Sequence, residues 1–271
     1  MLVPLLAVLS LVTSLNPGHP AGNPAGHSAA DSARCLAGER MTVLERPASW
    51  SPVPFGMGER LEYDVSFGHL HVGSGEMRLV RRDTVRGRLT WSAQLAISGG
   101  FSMLSVHDTS ASWFDSVTFN TYRFVEGLHE PRYHANRDTQ IYPDRQVFQR
   151  RGKTELPSVS DPMDDVSLVY FVRTLALEPG QCYVLRRYYM PEGNPVVLHV
   201  TRRERVRVPA GTFNAIVVHP EITTGGIFSQ NGRAELWLAE DSTRAVLQLK
   251  SQLPFGSINL YLTHVLEPPG G

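Results

Sequence analysis

The strongest constraint in this sequence is a period of two in hydrophobicity, which begins near residue 59 and continues almost to the end of the chain. Between Leu61 and Phe67, apolar residues alternate with Glu62, Asp64 and Ser66. The same alternation returns in five later stretches, at 89–97, 196–200, 236–238, 247–249 and 258–262. Successive side chains of a strand point to opposite faces, so this pattern predicts strands with one buried and one wetter face.

Short turn signals separate the predicted strands. They are Gly73-Ser74-Gly75, Arg86-Gly87, Gly99-Gly100, Pro143-Asp144, Gly193-Asn194, Gly225-Gly226 and Asn231-Gly232. Many short strands joined by turns are typical of an antiparallel meander that curls into a barrel or sandwich. We therefore predict a mainly β fold, a strongly curved antiparallel sheet or open β-barrel with one helix packed against it.

The predicted helix lies in the segment from Ser160 to Gly180, where the alternation stops. Asp161 is a suitable N-cap, and Pro162 suits the first helical position. The carboxylates of Asp164 and Asp165 favour the positive end of the helix dipole, which accounts for them without chemistry.

The stretch "RVRVPAGTF", from Arg205 to Phe213, has two interpretations, a ligand-cradling loop or a hairpin corner. Pro209 cannot donate to a sheet ladder, and Gly211 allows a tight turn. A phosphate cradle needs several glycines leading into a helix N-terminus, whereas here one glycine leads into a strand. The pattern favours the corner. It also places Val206 and Val208 on the same face of the sheet as Val196, Leu198 and Val200.

The N-terminus has the pattern of an export signal. Residues 2–15 form an almost uninterrupted apolar run, shorter than the roughly 20 residues that span a bilayer. We predict a signal-peptide core over 1–15, a disordered linker and domain lead-in rich in Pro, Gly and Ala over 16–53, and a single mostly β domain over 54–268. The predicted location is the periplasm or cell envelope of a bacterium, with no transmembrane span in the mature chain.

The overall charge excludes one class of partner. Lys and Arg together number 26, as do Asp and Glu, so no global field draws the chain to nucleic acid. We therefore predict no nucleic-acid partner.

Cys35 and Cys182 are the two cysteines of the chain. An oxidising compartment would allow them to pair and tie the start of the domain to its middle. The alternative is two unpaired thiols, one in a tail and one in a strand. Two cysteines do not make a zinc-thiolate site by themselves, and we predict neither a metal nor a cofactor.

Several motifs together resemble the bacterial family called domain of unknown function 3108. They are "PFGMGERLEYDVSFGHLHVGSGEM" at 54–77, "DPMDDVSLVYFVRTL" at 161–175, "VRVPAGTFNAIVV" at 206–218 and "AELWLAEDSTRAVLQLKSQLPFGSINLYL" at 234–262. The resemblance covers residues 54–266 and implies an exported, mostly β envelope protein of bacteria. The family has no established activity, so the resemblance assigns no catalytic residue.

The histidines offer two hypotheses with chemistry. His69 and His71 have a spacing that can bind zinc in an extended backbone, although the adjacent glycines equally indicate a turn. A periplasmic hydrolase or lyase acting on an envelope polymer would need converging side chains from separate strands. For that role the candidates are His107, Asp108, His134 and Asp138. Separately, His107 and Asp108 with Ser105 or Ser110 suggest a catalytic triad, but the sequence here has no Gly-x-Ser-x-Gly nucleophile elbow, and a polar strand face is the simpler interpretation.

The leading hypothesis is a non-enzymatic binder of a lipid or other apolar ligand. Its candidate binding residues are the aromatic Trp91, Trp113, Phe119 and Tyr122, with Arg203, Arg205 and Arg207 as a basic stripe for an anionic head. A filled core and solvated arginines are the simpler interpretation of both sets. A structural module that contacts an envelope partner is the third reading, which a filled barrel would favour.

Overall fold

The computed structural model describes residues 35, 41–43, 53–101, 104–130, 133–221, 233–253 and 256–266. Within these residues lie fifteen strands and the α-helix α1 (Asp165–Val172). The strands are β1 (Met41–Val43), β2 (Arg60–Phe67), β3 (Leu70–Val85), β4 (Arg88–Phe101), β5 (Leu104–Phe114), β6 (Thr121–Glu130), β7 (Tyr133–Tyr142), β8 (Val147–Arg150), β9 (Glu155–Pro157), β10 (Cys182–Leu185), β11 (Val196–Val208), β12 (Gly211–Glu221), β13 (Arg233–Ala239), β14 (Val246–Leu253) and β15 (Gly256–Leu266).

All fifteen strands form one sheet, which confirms the predicted fold class. The order is β1-β10-β11-β12-β13-β14-β15-β2-β3-β4-β5-β6-β7-β8-β9, so two meanders join where β15 pairs with β2. Every neighbouring pair is antiparallel except the parallel pair of β1 with β10. β1 lies in the segment assigned to the linker and lead-in.

The two ends of the sheet approach each other beside α1. The Ser158 hydroxyl, just after β9, donates to the carbonyl oxygen of Tyr189, after β10, at 2.7 Å. The amide of Tyr189 in turn donates to the carbonyl oxygen of Met163 at 2.9 Å. Among the described strands, β9 and β1 remain the two edges, so the sheet is strongly curved and open.

The helix begins later than the sequence predicts. Asp164 is the N-cap, and its side chain accepts from the amides of Val166 and Ser167 at 2.8 and 3.0 Å. Pro162 lies outside the helix because its carbonyl oxygen accepts from the amide of Thr121, which holds this backbone extended. The predicted cap at Asp161 is therefore wrong by three positions.

Two of the predicted turns are strand interiors. Gly73 lies within β3 and Gly99 within β4, where the two residues pair directly. A Cβ atom on Gly73 would collide with the carbonyl oxygen of Ser98, so glycine here permits a close approach of two backbones. Gly225 and Asn231, which mark the last predicted turns before residue 233, lie outside the described residues.

The "VPAGTF" corner is confirmed as a two-residue hairpin turn, since β11 ends at Val208 and β12 begins at Gly211. A bulge between Val200 and Arg202 changes which residues share a face. Val200 pairs with Val218 and Arg203 with Ile216, so Arg203 lies on the Val200 face. The prediction that Val206 and Val208 share that face is wrong, because the bulge shifts the alternation by one residue.

Candidate functional site

The helix crosses the inside of the curved sheet at one end. At its start, the side chain of Asp164 accepts hydrogen bonds from the hydroxyls of Ser112 and Thr121, beside the β5–β6 turn. Just beyond its end, Arg173 donates to the carbonyl oxygens of Thr243 and Arg244 in the β13–β14 turn, at 3.0 Å each. Residues Val166 to Val172 are all buried. The helix therefore forms a floor across the concave face of the sheet.

A small apolar cavity separates this floor from β11–β13. Its volume is about 10 Å³. Its lining consists of Leu168, Val169, Val172, Leu198, Val218, Pro220 and Leu236. A void of this size is at the lower limit for one water molecule, and an apolar void of this kind stays dry. Packing between α1 and this part of the sheet is therefore entirely apolar and incompletely filled.

The other side of the interior is polar. Ser110, Glu126 and Arg137 form one row across β5–β7, because the register pairs each with the next. This row continues through Leu95 to buried Met77, which places it on the inner face. The Nη1 atom of Arg137 lies 3.7 Å from Oε1 of Glu126. Burial raises the pKa of Glu126, and the nearby guanidinium only partly opposes that rise.

Asp165, the first residue of α1, faces this polar side. The hydroxyl of Tyr188 donates to its Oδ2 at 3.3 Å, while its Oδ1 is buried with no hydrogen-bond partner among the described residues. Burial raises the pKa of Asp165 to about 7, and the charges of Glu126 and Asp164 add to the rise. The interior thus has an apolar half at β11–β13 and a half with titrating carboxyl groups at β5–β7.

The predicted aromatic ligand contacts lie on both faces of the sheet. Trp91 pairs with Phe114 and points inward, where its ring lies 5.9 Å from that of Phe55. Phe119 is fully buried and packs on Phe171 of α1, with ring centroids 5.6 Å apart. Phe119 therefore packs directly against the helix, whereas Trp91 packs on Phe55, whose ring lies 4.9 Å from that of Tyr170 in the helix.

Trp113 and Tyr122 lie apart from them. Trp113 follows an opposite alternation to Phe114, and its indole donates to Asp83 at 3.0 Å on the outer face. The guanidinium of Arg123 lies 4.8 Å from its ring centroid. Tyr122 is buried near Arg86, which donates to its carbonyl oxygen at 2.9 Å. The four aromatic residues do not surround a common space.

The predicted arginine stripe shares one face of β11, since Arg203, Arg205 and Arg207 pair with alternate residues of β12. Arg203 is neutralised by Glu178, at 2.8 Å, and by Glu240. Arg205 and Arg207 are exposed. Arg207 is nine residues from Leu198 along one strand, roughly 30 Å at the usual rise. The stripe and the apolar cavity are therefore separate places.

The candidate catalytic side chains do not converge. Asp108 points into the core and accepts from the amide of His129 at 3.0 Å, whereas adjacent His107 is exposed on the other face. Asp138 pairs with Arg123 at 2.9 Å, and His134 is exposed. The side chain of Ser105 lies outside the described residues. This geometry does not assemble the predicted acid, base and nucleophile.

Metal-ligating side chains come together at a place other than His69 and His71. Gly68 and His69 form the β2–β3 turn, and His71 is exposed 3.9 Å from Asp64. Within the described parts of the chain, the three side chains whose ligand atoms gather are Cys35, Cys182 and His199. The two cysteines form a disulfide with Cα atoms 6.0 Å apart.

Sequence reasoning did not find the cavity lining or the inward Glu126–Arg137 pair. The valines and leucines of α1 and β11–β13 look like ordinary core residues. The only available signal for Glu126 was its position between apolar neighbours in a strand, which does not say which face is buried.

These features define a class, the barrel-like proteins built from a strongly curved antiparallel sheet around a buried helix. A crystallised protein with a similar fold is the β-barrel-like protein of domain of unknown function DUF1849 from Brucella abortus. It has a TM-score of 0.51 and 10% identity, with 79% of this chain and 99% of that chain covered. At that identity the likeness shows the fold alone.

The chain belongs to the family described as protein of unknown function (DUF3108), whose sequence model matches residues 62–263. Two weaker structural likenesses are the hypothetical protein CT021 from Chlamydia trachomatis (TM-score 0.37, 6% identity, 81% of this chain and 91% of that chain) and a DUF1089 family protein from Pseudomonas aeruginosa (TM-score 0.33, 12% identity, 75% and 95%). Among curated proteins, none matches as a relative. The described residues form no helix that is long and apolar enough to cross a membrane.

Proposed function

We propose that this chain is an exported bacterial envelope protein that binds one apolar chain, such as a lipid acyl chain, between α1 and β11–β13. The apolar leader at 2–15 and the Cys35–Cys182 disulfide both support export, because disulfides persist in oxidising compartments. The observation that carries the ligand class is the wholly apolar, incompletely filled cavity beneath the helix.

The attachment of α1 explains how a small cavity admits a larger ligand. Hydrogen bonds hold the start of the helix to Ser112, Thr121 and Tyr188. Just after its end, Arg173 donates to Glu59 and to the turn at 243–244. Toward β11–β13, contact is through aliphatic side chains, which can separate without breaking a hydrogen bond. Each methylene that enters regains about 0.8 kcal/mol of apolar burial, which offsets the contacts that open.

The test is native mass spectrometry of the protein exported and purified under mild conditions, followed by solvent extraction. We expect a retained lipid of defined mass, and binding of a fluorescent fatty acid by the extracted protein. The variant Leu236→Phe places a bulkier aromatic side chain in the cavity lining, so fatty-acid affinity should fall at least tenfold. Leu247→Phe, at a buried position of β14 outside that lining, is the matched control for overpacking.

Two surface variants complete the design. Trp113→Ser and Arg205→Ala should bind as the wild type does, because one side chain lies on the outer face and the other is far from the cavity. A bare polypeptide mass together with no fatty-acid binding would overturn the proposal. That result would favour the structural interaction module, which the burial of Val166 to Val172 in α1 also supports.

A further inference from the structure

Three side chains with affinity for soft metal ions meet on the face of the sheet opposite to α1. Cys182 on β10 pairs directly with His199 on β11, and Cys35 packs over both. Nδ1 of His199 lies 3.5 Å from Sγ of Cys35 and 3.8 Å from Sγ of Cys182. Cys35, Cys182 and His199 are 1%, 8% and 6% exposed. The neighbouring Leu198 lines the apolar cavity, so the two places lie on opposite faces.

These separations match those between ligands around one metal ion. In a tetrahedral zinc site with Zn–S near 2.3 Å and Zn–N near 2.05 Å, a sulfur and a nitrogen ligand are about 3.6 Å apart. Both nitrogen–sulfur distances in the structure are close to that value. Only the two sulfurs must separate, from bonded contact in the disulfide to the distance between two thiolate ligands.

The other nitrogen of His199 has the partner that a metal-bound imidazole usually has. Its Nε2 lies 3.7 Å from a carboxylate oxygen of Glu221. A carboxylate at this position favours a proton on Nε2, and the lone pair of Nδ1 then faces the sulfurs. His219, which pairs with His199 across β11 and β12, also approaches this carboxylate. Its Nε2 lies 3.5 Å from the same oxygen, and its Nδ1 contacts the carbonyl oxygen of Ala234.

We propose that reduction of the Cys35–Cys182 disulfide creates a buried Cys₂His site for Zn²⁺, with a water molecule in the fourth position. A dithiol reductant supplies two electrons and two protons, the S–S bond breaks, two thiols form, and the reductant becomes a disulfide. Zn²⁺ then displaces the two thiol protons to solvent and binds two thiolates and Nδ1. The disulfide and the metal site are alternative states of the same residues.

The experiment uses the full exported chain in its disulfide and reduced forms. A phosphine reduces the protein anaerobically, taking its oxygen atom from water, and is removed before titration. Co²⁺ is the spectroscopic probe, because thiolate charge transfer and strong visible bands report tetrahedral sulfur ligation, and Zn²⁺ then displaces it. We expect one Co²⁺ per reduced chain and no such bands for the disulfide form.

Variants separate the ligands from their surroundings. His199→Ala should weaken metal binding by more than about 100-fold, and Glu221→Gln by about tenfold, since an outer-shell partner contributes less than a ligand. His219→Ala is the matched control and should retain wild-type affinity. Circular dichroism of each reduced variant shows whether it remains folded. His199→Gln is a second, more conservative substitution in case His199→Ala does not fold.

Two results would overturn the proposal. The first is a reduced wild type that binds no more Co²⁺ than the disulfide form. The second is a folded His199→Ala or His199→Gln variant with wild-type affinity, which would leave the histidine as a neighbour of the disulfide only. Fatty-acid binding by the same samples tests the proposed function independently, because the cavity lies on the other face.

Discussion

Removal of one buried guanidinium should destabilise the fold more than removal of an equally well-formed surface partner. Arg173, just after α1, donates through Nη1 and Nη2 to the two carboxylate oxygens of Glu59, each at 2.7 Å. The two side chains are 0% and 9% exposed. Because the pair is shielded from water, Arg173→Met leaves the carboxylate of Glu59 buried beside apolar groups.

The expected loss is about 3–5 kcal/mol of unfolding free energy, the range for breaking a buried pair by removing one partner. The chain offers a control with the same forked geometry, since Arg145 donates to both oxygens of Glu155 at 2.8 and 3.1 Å. Those side chains are 52% and 39% exposed, so Arg145→Met should cost less than about 1 kcal/mol.

Urea unfolding with the disulfide intact measures both values, and an unchanged slope with urea shows that only stability has changed. The double variant Glu59→Met with Arg173→Met leaves no unpaired charge at this position, so part of the lost stability should return. The carbonyl oxygens of Thr243 and Arg244 still lack their donor, so the return should be incomplete. Equal losses for Arg173→Met and Arg145→Met would refute the reasoning, as would a double variant less stable than Arg173→Met alone.

Three further predictions concern the cap, the glycines and a carboxyl group. Asp164→Ala should lower the unfolding free energy by about 2 kcal/mol or more, because it removes a buried cap and its hydroxyl partners, and Asp161→Ala should cost clearly less in the same urea titration. Gly73→Ala should markedly lower the melting temperature, whereas Gly75→Ala, where the nearest atoms to an added Cβ are 3.5 Å away, should be nearly neutral by the same scan. The pKa of Asp165 is raised by burial to about 7, so the folded chain holds a proton that the unfolded chain releases near pH 4. Its contribution to stability therefore falls as pH rises from about 4 to 7, and Asp165→Asn should lose less stability than wild type between pH 5 and 8; an identical pH dependence would contradict this.

The alternation of apolar residues was sufficient to predict the mainly β fold and the hairpin at Pro209. It could not locate bulges, since an extra residue is visible only from the strand that pairs with it. The bulge at 200–202 therefore reversed the predicted face of Val206 and Val208. Period two also fails at β12, where Ala215 to Val218 are all buried. Val217 pairs with Arg202 on one side and Trp237 on the other, and the guanidinium of Arg202 lies 5.6 Å from the Trp237 ring, so long side chains meet over this residue.

The candidate site depended still more on tertiary contacts. Three aspartates compete to cap the helix, and the choice of Asp164 follows from hydroxyls of Ser112 and Thr121, about fifty residues earlier in the chain. Trp91 and Trp113 are the same residue type, and the sequence alone does not distinguish them. Only the pairing of β4 with β5 shows that the two side chains face opposite ways. Neither distinction is encoded in local spacing.

The seam between β15 and β2 has a consequence for how the chain reaches its native state. Val65 pairs with Leu260, so strands from opposite ends of the domain lie side by side in the middle of the sheet. Until the last strand has been synthesised, the first meander has an unpaired β2 edge, and such edges attract other strands. Contacts this distant in sequence also slow folding. A chain that completes its sheet only after its final strand is available leaves this edge open to pairing with other chains for longer, which increases its need for protection from aggregation.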